Sequence, residues 1–374
     1  MAGQNEAEHL KTTRIGKKIL VILSLGIGIA IAGVALGGNW GLVITNPQLQ
    51  REWIVIDGDA GTQCALGDPY RFYYRRGADD DKLMIYFQLG GACWSGPTCQ
   101  PFSPVYDKRV SEYELRWYGG IFDFENPDNP VTGYHIVVIP YCTGDVHIGA
   151  AEVEYDTIPG DALKVAHYGY TNTMSVLNWV YERFEAPDHI LIAGSSAGSM
   201  ASIYYAPEIM RHYPGARIVQ LGDGYVGVAP AGWDALETWN AYANLSDEIA
   251  APADIDPKTF TITDLYGAVA DRFPQHTFAQ YTHSADVVQM GYLLVTGGDA
   301  ASWADTKAQI LEELLTLDNF RYYVGEGMLH TILPMDEFYT MEVNGVRFRD
   351  WFADLIAGVD VPNVSCARGT PICP

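Results

Sequence analysis

The sequence predicts an α/β fold in which helices cover both faces of an open, mainly parallel sheet. Short apolar runs with the composition of buried strands alternate along the chain with segments that have the apolar spacing of helices. Most of these runs end in glycine-rich or polar segments, as is typical where the carboxyl ends of parallel strands carry functional loops. A chain of 374 residues, 48% of them hydrophobic, is long enough to bury the core that such a sheet needs.

The individual elements follow from these patterns in chain order. Apolar runs predict eight strands, at residues 53–56, 70–74, 83–89, 134–140, 189–193, 218–221, 278–281 and 320–324. Helical spacing of apolar residues predicts four helices, at residues 171–184, 200–205, 303–317 and 347–356. Residues 227–276 contain few strand signals, which predicts a cap-like insertion between two strands of the sheet.

The amino-terminal segment has the pattern of an export signal. An uncharged apolar run over residues 19–36 follows four cationic residues, Lys11, Arg14, Lys17 and Lys18. We therefore predict a leader over residues 1–38 and a folded domain over residues 39–374. The length of the run leaves a cleaved signal peptide and a retained signal anchor open, and we favour the cleaved signal. Either way the folded domain is exported, to a secreted, periplasmic or cell-surface location, and touches a membrane only through residues 19–36 if they are retained.

Six cysteines lie beyond the apolar run, and an even number in an exported chain predicts disulfide bonds. Sequence alone allows fifteen pairings. Short spacing favours one set, in which the pairs are Cys93 with Cys99, Cys366 with Cys373 and, for the remaining two, Cys64 with Cys142. A zinc site is disfavoured, because no two cysteines have two-residue spacing and no histidine-rich segment follows them.

The net charge narrows the range of partners. The whole chain carries −23, and residues 1–38 contain four cations and two anions, so the exported part carries −25. Such an acidic surface repels phosphate backbones and anionic lipid, and we therefore predict no nucleic-acid partner. Strongly polyanionic substrates are disfavoured for the same reason.

The sequence Gly-Ser-Ser-Ala-Gly at residues 194–198 has the pattern and the context of a nucleophile elbow. The predicted strand at 189–193 leads into it, and helical spacing follows it. Such a turn holds a serine at a strained bend between strand and helix, where its hydroxyl can meet a base and a substrate. Ser196 is therefore the candidate nucleophile, and Ser195 is only its neighbour.

Four histidines downstream of the elbow are candidates for the base: His212, His276, His283 and His330. We favour His330, because it lies in a loop just after the last predicted strand, at the edge of the sheet where the elbow lies. His283 is the serious rival, since it is close to the end of a predicted strand. His212 and His276 are expected to face solvent.

The orienting acid should lie between the nucleophile and the base in the sequence. Asp286 follows the strand at 278–281 and is favoured over Asp223, which lies one strand earlier in a turn between two glycines. Backbone donors for the developing oxyanion are predicted at Ala197, directly after the nucleophile, and at Gly91 and Ala92.

Four motifs, in their order and rough spacing, resemble the pectin acetylesterase and Notum family. They are Gly-Gly-Ala-Cys-Trp at 90–94, Pro-Tyr-Cys-Thr-Gly-Asp-Val at 140–146, the elbow at 194–198, and Ser-Ala-Asp-Val-Val-Gln at 284–289. The resemblance implies an α/β-hydrolase fold and a carboxylesterase without metal or organic cofactor. It gives the three catalytic roles to Ser196, Asp286 and His330, the oxyanion region to Gly91, Ala92 and Ala197, and a structural role to Asp145.

These observations predict an exported serine carboxylesterase whose α/β-hydrolase catalytic domain covers residues 39–374. The expected substrate is an acyl ester, with O-acetyl favoured, on a small molecule or a polysaccharide. The alternatives are a thioesterase or a lipid or protein deacylase with the same three residues. A further alternative is a non-catalytic binding protein built on a hydrolase scaffold.

Overall fold

The computed structural model describes residues 53–111, 114–157, 161–229, 234–246 and 261–366. The predicted leader over residues 1–38 and the predicted partner of Cys366, Cys373, lie outside these described residues. Within them, no helix is both long and apolar enough to cross a membrane.

The described residues form twelve strands, nine α-helices and five short 3₁₀ helices. The strands are β1 (Ile54–Asp57), β2 (Arg71–Arg75), β3 (Lys82–Phe87), β4 (His135–Ile139), β5 (Ala151–Asp156), β6 (Ala162–His167), β7 (His189–Ser195), β8 (Arg217–Asp223), β9 (Thr277–His283), β10 (Phe320–Gly325), β11 (Glu342–Val343) and β12 (Val346–Arg347). The α-helices are α1 (Gly96–Cys99), α2 (Gly169–Arg183), α3 (Ala197–Tyr204), α4 (Ala206–His212), α5 (Ala235–Thr238), α6 (Ile262–Arg272), α7 (Val287–Val295), α8 (Trp303–Leu314) and α9 (Phe348–Ala357). The 3₁₀ helices are Glu114–Arg116, Gly120–Phe122, Ala241–Asn244, Ala300–Ser302 and Asp336–Tyr339.

Eight of the strands form one sheet in the order β1-β2-β4-β3-β7-β8-β9-β10. β2 pairs antiparallel with β1 and with β4, and every other pairing in this sheet is parallel. Strands β3, β4, β7 and β8 are buried along almost their whole length, because helices cover both faces of the sheet. This confirms the predicted α/β-hydrolase architecture.

The segment predicted as a cap-like insertion, residues 227–276, includes a helix that belongs to the main core. Helix α6 begins at Ile262 with a capping box from Thr261 and Asp264, and it buries Leu265, Tyr266 and Val269 in the core. The carboxyl-terminal part of the segment is therefore a layer on the sheet and not a cap. The buried positions of α6 have amphipathic helical spacing, which is a signal for a helix and not for a strand.

A second difference is the antiparallel hairpin of β5 and β6, which the sequence analysis did not predict. The hairpin packs against a small satellite core that contains Cys93, Cys99 and Tyr106. It therefore supports the loop that carries the glycine pair at residues 90–91.

Two of the predicted disulfides are present. Cys64 bonds to Cys142 across 78 residues, and Cys93 bonds to Cys99 across six. Disulfides persist in oxidising compartments, so these bonds fit export. Cys93, Cys99 and His167 also form the one cluster of potential metal ligands among the described residues, but the two sulfurs are joined to each other and are not thiolates.

The expectation that His212 and His276 face solvent holds for His212 and is wrong for His276. His212 is exposed, whereas His276 is only 2% exposed and its Nδ1 accepts a hydrogen bond from the backbone N–H of Ile218 at 3.4 Å. Burial lowers the pKa of His276 to about 4, so the imidazole is neutral at physiological pH.

Candidate active site

The turn between β7 and α3 has the geometry of a nucleophile elbow. Ser196 lies between the two elements with φ of +53°, a conformation that non-glycine residues rarely adopt. A Cβ atom at Gly194 would lie 2.0 Å from the carbonyl oxygen of Gly198, and one at Gly198 would lie 2.0 Å from that of Phe87. The two glycines are therefore required by the close crossing of strand and helix, as the motif predicts.

Ser196, His330 and Asp286 form a continuous hydrogen-bonded chain. The distance from Ser196 Oγ to His330 Nε2 is 2.7 Å, and that from His330 Nδ1 to Asp286 Oδ2 is 2.8 Å. With the imidazole proton on Nδ1, His330 donates to Asp286 and accepts the hydrogen bond that Ser196 donates. The rival histidine, His283, is fully buried, and its Nε2 lies 3.1 Å from the hydroxyl of Tyr281. The structure thus brings together the three favoured residues.

Asp286 is held rigidly because it is also the N-cap of α7. Its Oδ1 accepts hydrogen bonds from the backbone N–H groups of Val288 at 3.0 Å and Gln289 at 2.9 Å. Its Oδ2 accepts from the Gln289 side-chain amide at 2.8 Å, beside the bond from His330. The same amide donates to Thr282 at 3.1 Å. Gln289 therefore fixes the carboxylate that faces His330, a role that its three-residue spacing after Asp286 could have indicated.

Asp223, the alternative acid, does not contact His330 through its side chain. Its Oδ2 accepts hydrogen bonds from the Ser195 hydroxyl at 2.7 Å and from the backbone N–H of Leu333 at 2.9 Å. The N–H of Ile332 lies 3.0 Å from its Oδ1. Its backbone carbonyl accepts from the N–H of Ser196 at 2.6 Å. One buried residue thus connects the nucleophile turn to the loop that carries His330.

The predicted oxyanion residues Gly91, Ala92 and Ala197 all line the same pocket as Ser196 and His330. Ala197 is the first residue of α3, where backbone N–H groups have no acceptor within the helix. The N–H of Ala92 donates to the carbonyl of Val105 at 3.2 Å in this structure. Their role as oxyanion donors stays a prediction, with Ala197 the best placed of the three by its position in the helix.

Asp145 organises the turn that follows β4. Its carboxylate is buried and accepts hydrogen bonds from Thr143 Oγ1 at 2.6 Å, from the N–H of His147 at 3.1 Å and from the N–H of Gly169 at 2.8 Å. Burial raises the pKa of Asp145 to about 6. Because Gly169 is the first residue of α2, this aspartate ties the turn to a helix, which agrees with the structural role that the motif implies.

A pocket of about 100 Å³ opens at Ser196. Most of the side chains around it are apolar, and they include Val146, Met200, Val228, Leu236 and Leu293. The polar groups at the pocket are few and include Ser196, Gln289 and His330. The arrangement therefore presents a serine hydroxyl, hydrogen-bonded to a histidine, to a small apolar pocket.

Comparison with known proteins places this chain in a family. Residues 46–231 match the family model described as pectinacetylesterase. The chain belongs to the pectinacetylesterase family. The matched range contains the glycine pair and the elbow but ends before Asp286 and His330. The geometry described above supplies the partners of Ser196 that the family match does not reach.

Two solved structures of the Wnt deacylase Notum from Drosophila have the same fold as this pectinacetylesterase-family chain. One has a TM-score of 0.62 at 14% sequence identity and covers 87% of this chain and 99% of its own. The other has a TM-score of 0.61 at 15% sequence identity, and the match covers 87% of this chain and 100% of the Notum chain. A comparison with curated protein sequences found no match. Family membership together with this fold supports a hydrolase of carboxylic esters.

Proposed function

We propose that the protein is an exported serine carboxylesterase that removes a short acyl group, with O-acetyl favoured, from a small molecule or a polysaccharide. The observation that carries this proposal is the hydrogen-bonded chain of Ser196, His330 and Asp286 at the small apolar pocket. Family membership supports the class of reaction, and the two disulfides support export.

The chemistry follows from these positions. Ser196 Oγ attacks the ester carbonyl while its proton passes to His330 Nε2, and the imidazolium that forms is stabilised by the ionised Asp286. The carbonyl oxygen becomes an oxyanion that accepts hydrogen bonds from the predicted backbone donors Ala197, Gly91 and Ala92. The alcohol leaves with the proton from His330, and water then attacks the acyl-enzyme with His330 again as the base.

The size and polarity of the site support a short acyl group. A dry cavity of about 150 Å³ holds benzene, so a pocket of about 100 Å³ has room for an acetyl group or a slightly longer acyl chain. The net charge of −23 disfavours a strongly polyanionic carrier such as de-esterified pectin.

A lipid or protein deacylase is the second candidate, and one surface feature favours it. Helix α7 lines the pocket with Leu293 and exposes Val288, Leu294 and Val295, which are 37%, 62% and 59% exposed. An apolar surface next to the pocket suits an apolar substrate. The two structural neighbours are described as Wnt deacylases.

The test compares Ser196→Ala with Ser195→Ala on a series of nitrophenyl esters and on an acetylated sugar. Ser196→Ala should lower kcat by roughly a thousandfold or more and abolish labelling by a fluorophosphonate, while leaving the melting temperature intact. Ser195→Ala should retain most of the turnover, because Ser195 Oγ is bonded to Tyr86 and Asp223 and not to His330.

Two results would count against the proposal. Normal turnover by Ser196→Ala would refute the assignment of the nucleophile. A wild-type protein that neither hydrolyses any ester of the series nor reacts with the fluorophosphonate would instead indicate a binding protein on a hydrolase scaffold. If the protein hydrolyses esters of long acyl chains faster than acetate esters, the result would favour the lipid or protein deacylase.

A further inference from the structure

Val146 adopts a backbone conformation that a branched side chain strongly disfavours. Its φ is +49°, and that of the next residue, His147, is +69°. For residues with a Cβ atom this left-handed region is crowded, and the crowding is worst for β-branched side chains such as valine. Two consecutive residues of this kind form a locally strained turn, and strained turns persist only where the surroundings determine them.

The surroundings of this turn hold both of its residues. The N–H of Val146 donates to the hydroxyl of Tyr141 at 3.0 Å, and the N–H of His147 donates to Asp145 at 3.1 Å. His147 Nε2 lies 2.8 Å from the carbonyl oxygen of Gln88, and its own carbonyl accepts from Tyr205 at 2.8 Å. The backbone at residue 146 is therefore fixed from both sides.

The fixed backbone places the side chain of Val146 at the pocket. Val146 is half-buried, and it packs with Leu236 against the small cluster that contains Ala92 and Trp239. Together with Ser196 and Leu236 it lines the pocket. Glycine would adopt the same backbone conformation without strain. The valine side chain is therefore kept, at a cost in stability, at a position where it lines the pocket.

We infer that Val146 limits the length of the acyl group that the pocket accepts. The inference rests on the proposed function and deepens it. The isopropyl group of Val146 is one wall of a pocket of about 100 Å³. Acetyl and other short acyl groups therefore fit, whereas longer chains meet Val146. A wall on a strained turn that hydrogen bonds hold in place cannot move aside easily, which makes it an effective limit on chain length.

The test is the ratio of kcat/KM for nitrophenyl hexanoate to that for nitrophenyl acetate. Val146→Gly should raise this ratio roughly tenfold or more, because contacts with each additional methylene group in an apolar pocket change kcat/KM by about that factor. The melting temperature should change little, since relief of the backbone strain opposes the loss of the packing between the isopropyl group and Leu236. Val146→Ala keeps a Cβ atom and should give an intermediate ratio.

Val153→Gly is the matched control. Val153 lies on β5 against the satellite core and does not line the pocket, so its replacement should leave the ratio unchanged. A second series with a constant acetyl group and alcohols of increasing length separates the acyl from the alcohol side. The ratio should change for Val146→Gly in the acyl series only.

Two outcomes overturn the inference while leaving the proposed function in place. One is a Val146→Gly enzyme with the wild-type ratio of hexanoate to acetate, and the other is a change confined to the alcohol series. If the wild-type protein shows no hydrolysis that depends on Ser196, the proposed function fails and the inference fails with it.

Discussion

Replacement of Asp223 by asparagine tests how the two halves of the candidate site are held together. The ionised carboxylate accepts hydrogen bonds from the Ser195 hydroxyl and from the backbone N–H groups of Ile332 and Leu333, two and three residues after His330. An amide keeps one acceptor oxygen but directs an NH₂ group towards donors. With the amide oxygen at the Oδ2 position, the N–H groups of Ile332 and Leu333 keep an acceptor, but the buried NH₂ group then lies at the Oδ1 position, 3.0 Å from the N–H of Ile332, so that two donors face each other.

The expected change in stability is small because two effects oppose each other. A buried donor without an acceptor costs about 1–3 kcal/mol. Against this, burial raises the pKa of Asp223 from 3.8 to about 6, so above that pH the folded protein holds the ionised carboxylate at a cost of about 3 kcal/mol. Asparagine avoids that cost. The free energy of unfolding should therefore change by about 1–2 kcal/mol or less at pH 7.5.

Turnover should fall much more than stability does. A shift of about 1 Å in a catalytic group can cost about a hundredfold in rate, and the two facing donors in Asp223→Asn push the loop that carries His330 away from residue 223. We expect kcat on nitrophenyl acetate to fall by about ten- to a hundredfold, with KM little changed because Asp223 does not line the pocket.

The pH dependence gives a readout that loss of fold would not produce. Below about pH 6 the wild-type Asp223 becomes protonated and resembles the amide, so the ratio of wild-type to variant kcat should shrink as the pH falls through that value. Ser195→Ala is the control, because it leaves the bonds to Ile332 and Leu333 intact. A variant with wild-type kcat, or a ratio that does not change with pH, would refute this account of Asp223.

Two further predictions concern stability. In the chain-entropy model, the bond between Cys64 and Cys142, 78 residues apart, stabilises by about 4.5 kcal/mol and that between Cys93 and Cys99, six apart, by about 2.4 kcal/mol. Replacing Cys64 and Cys142 by serine should therefore lower the melting temperature more than replacing Cys93 and Cys99 does. Replacing Cys93 and Cys99 should lower kcat more, because Cys93 adjoins Ala92. The reverse pattern would contradict this prediction. Acidification from pH 6.5 to 4 should lower the melting temperature, because four histidines with a pKa of about 4 in the folded protein can bind a proton in this range once the protein unfolds. They outnumber three aspartates whose raised pKa has the opposite effect on stability. A melting temperature that rises over this range would show the prediction to be wrong. The histidines are His147, His167, His276 and His283, and the aspartates are Asp107, Asp145 and Asp223.

The sheet and the three favoured residues were predictable because their signals are local. Each main strand has an apolar run, and in a parallel sheet the carboxyl ends of neighbouring strands meet at one edge. Ser196 follows β7, Asp286 follows β9 and His330 follows β10. Position along the chain therefore implied proximity in space, and the structure brings these three residues together.

The supporting contacts between residues far apart in the sequence were not predictable, because no local pattern indicates them. Asp223 reaches Ile332 across 109 residues. His276 is buried by the packing around Phe273 and β8, and its flanking sequence is polar enough to suggest a surface position. The positive φ of Val146 has no signal in the sequence, since valine is among the residues least expected in that conformation.

Three buried aspartates hold the loops of the candidate site by accepting hydrogen bonds from backbone N–H groups. Asp145 holds the turn of Val146, Asp223 holds the loop after His330, and Asp286 holds the first turn of α7. Burial raises the pKa of Asp145 and of Asp223 to about 6, so both lose acceptor capacity as the pH falls through the same range. Protonation also relieves the cost of burying their charges, and the fold therefore tolerates it. As the pH falls, the turn of Val146 and the loop after His330 should therefore become less firmly held before the protein itself unfolds.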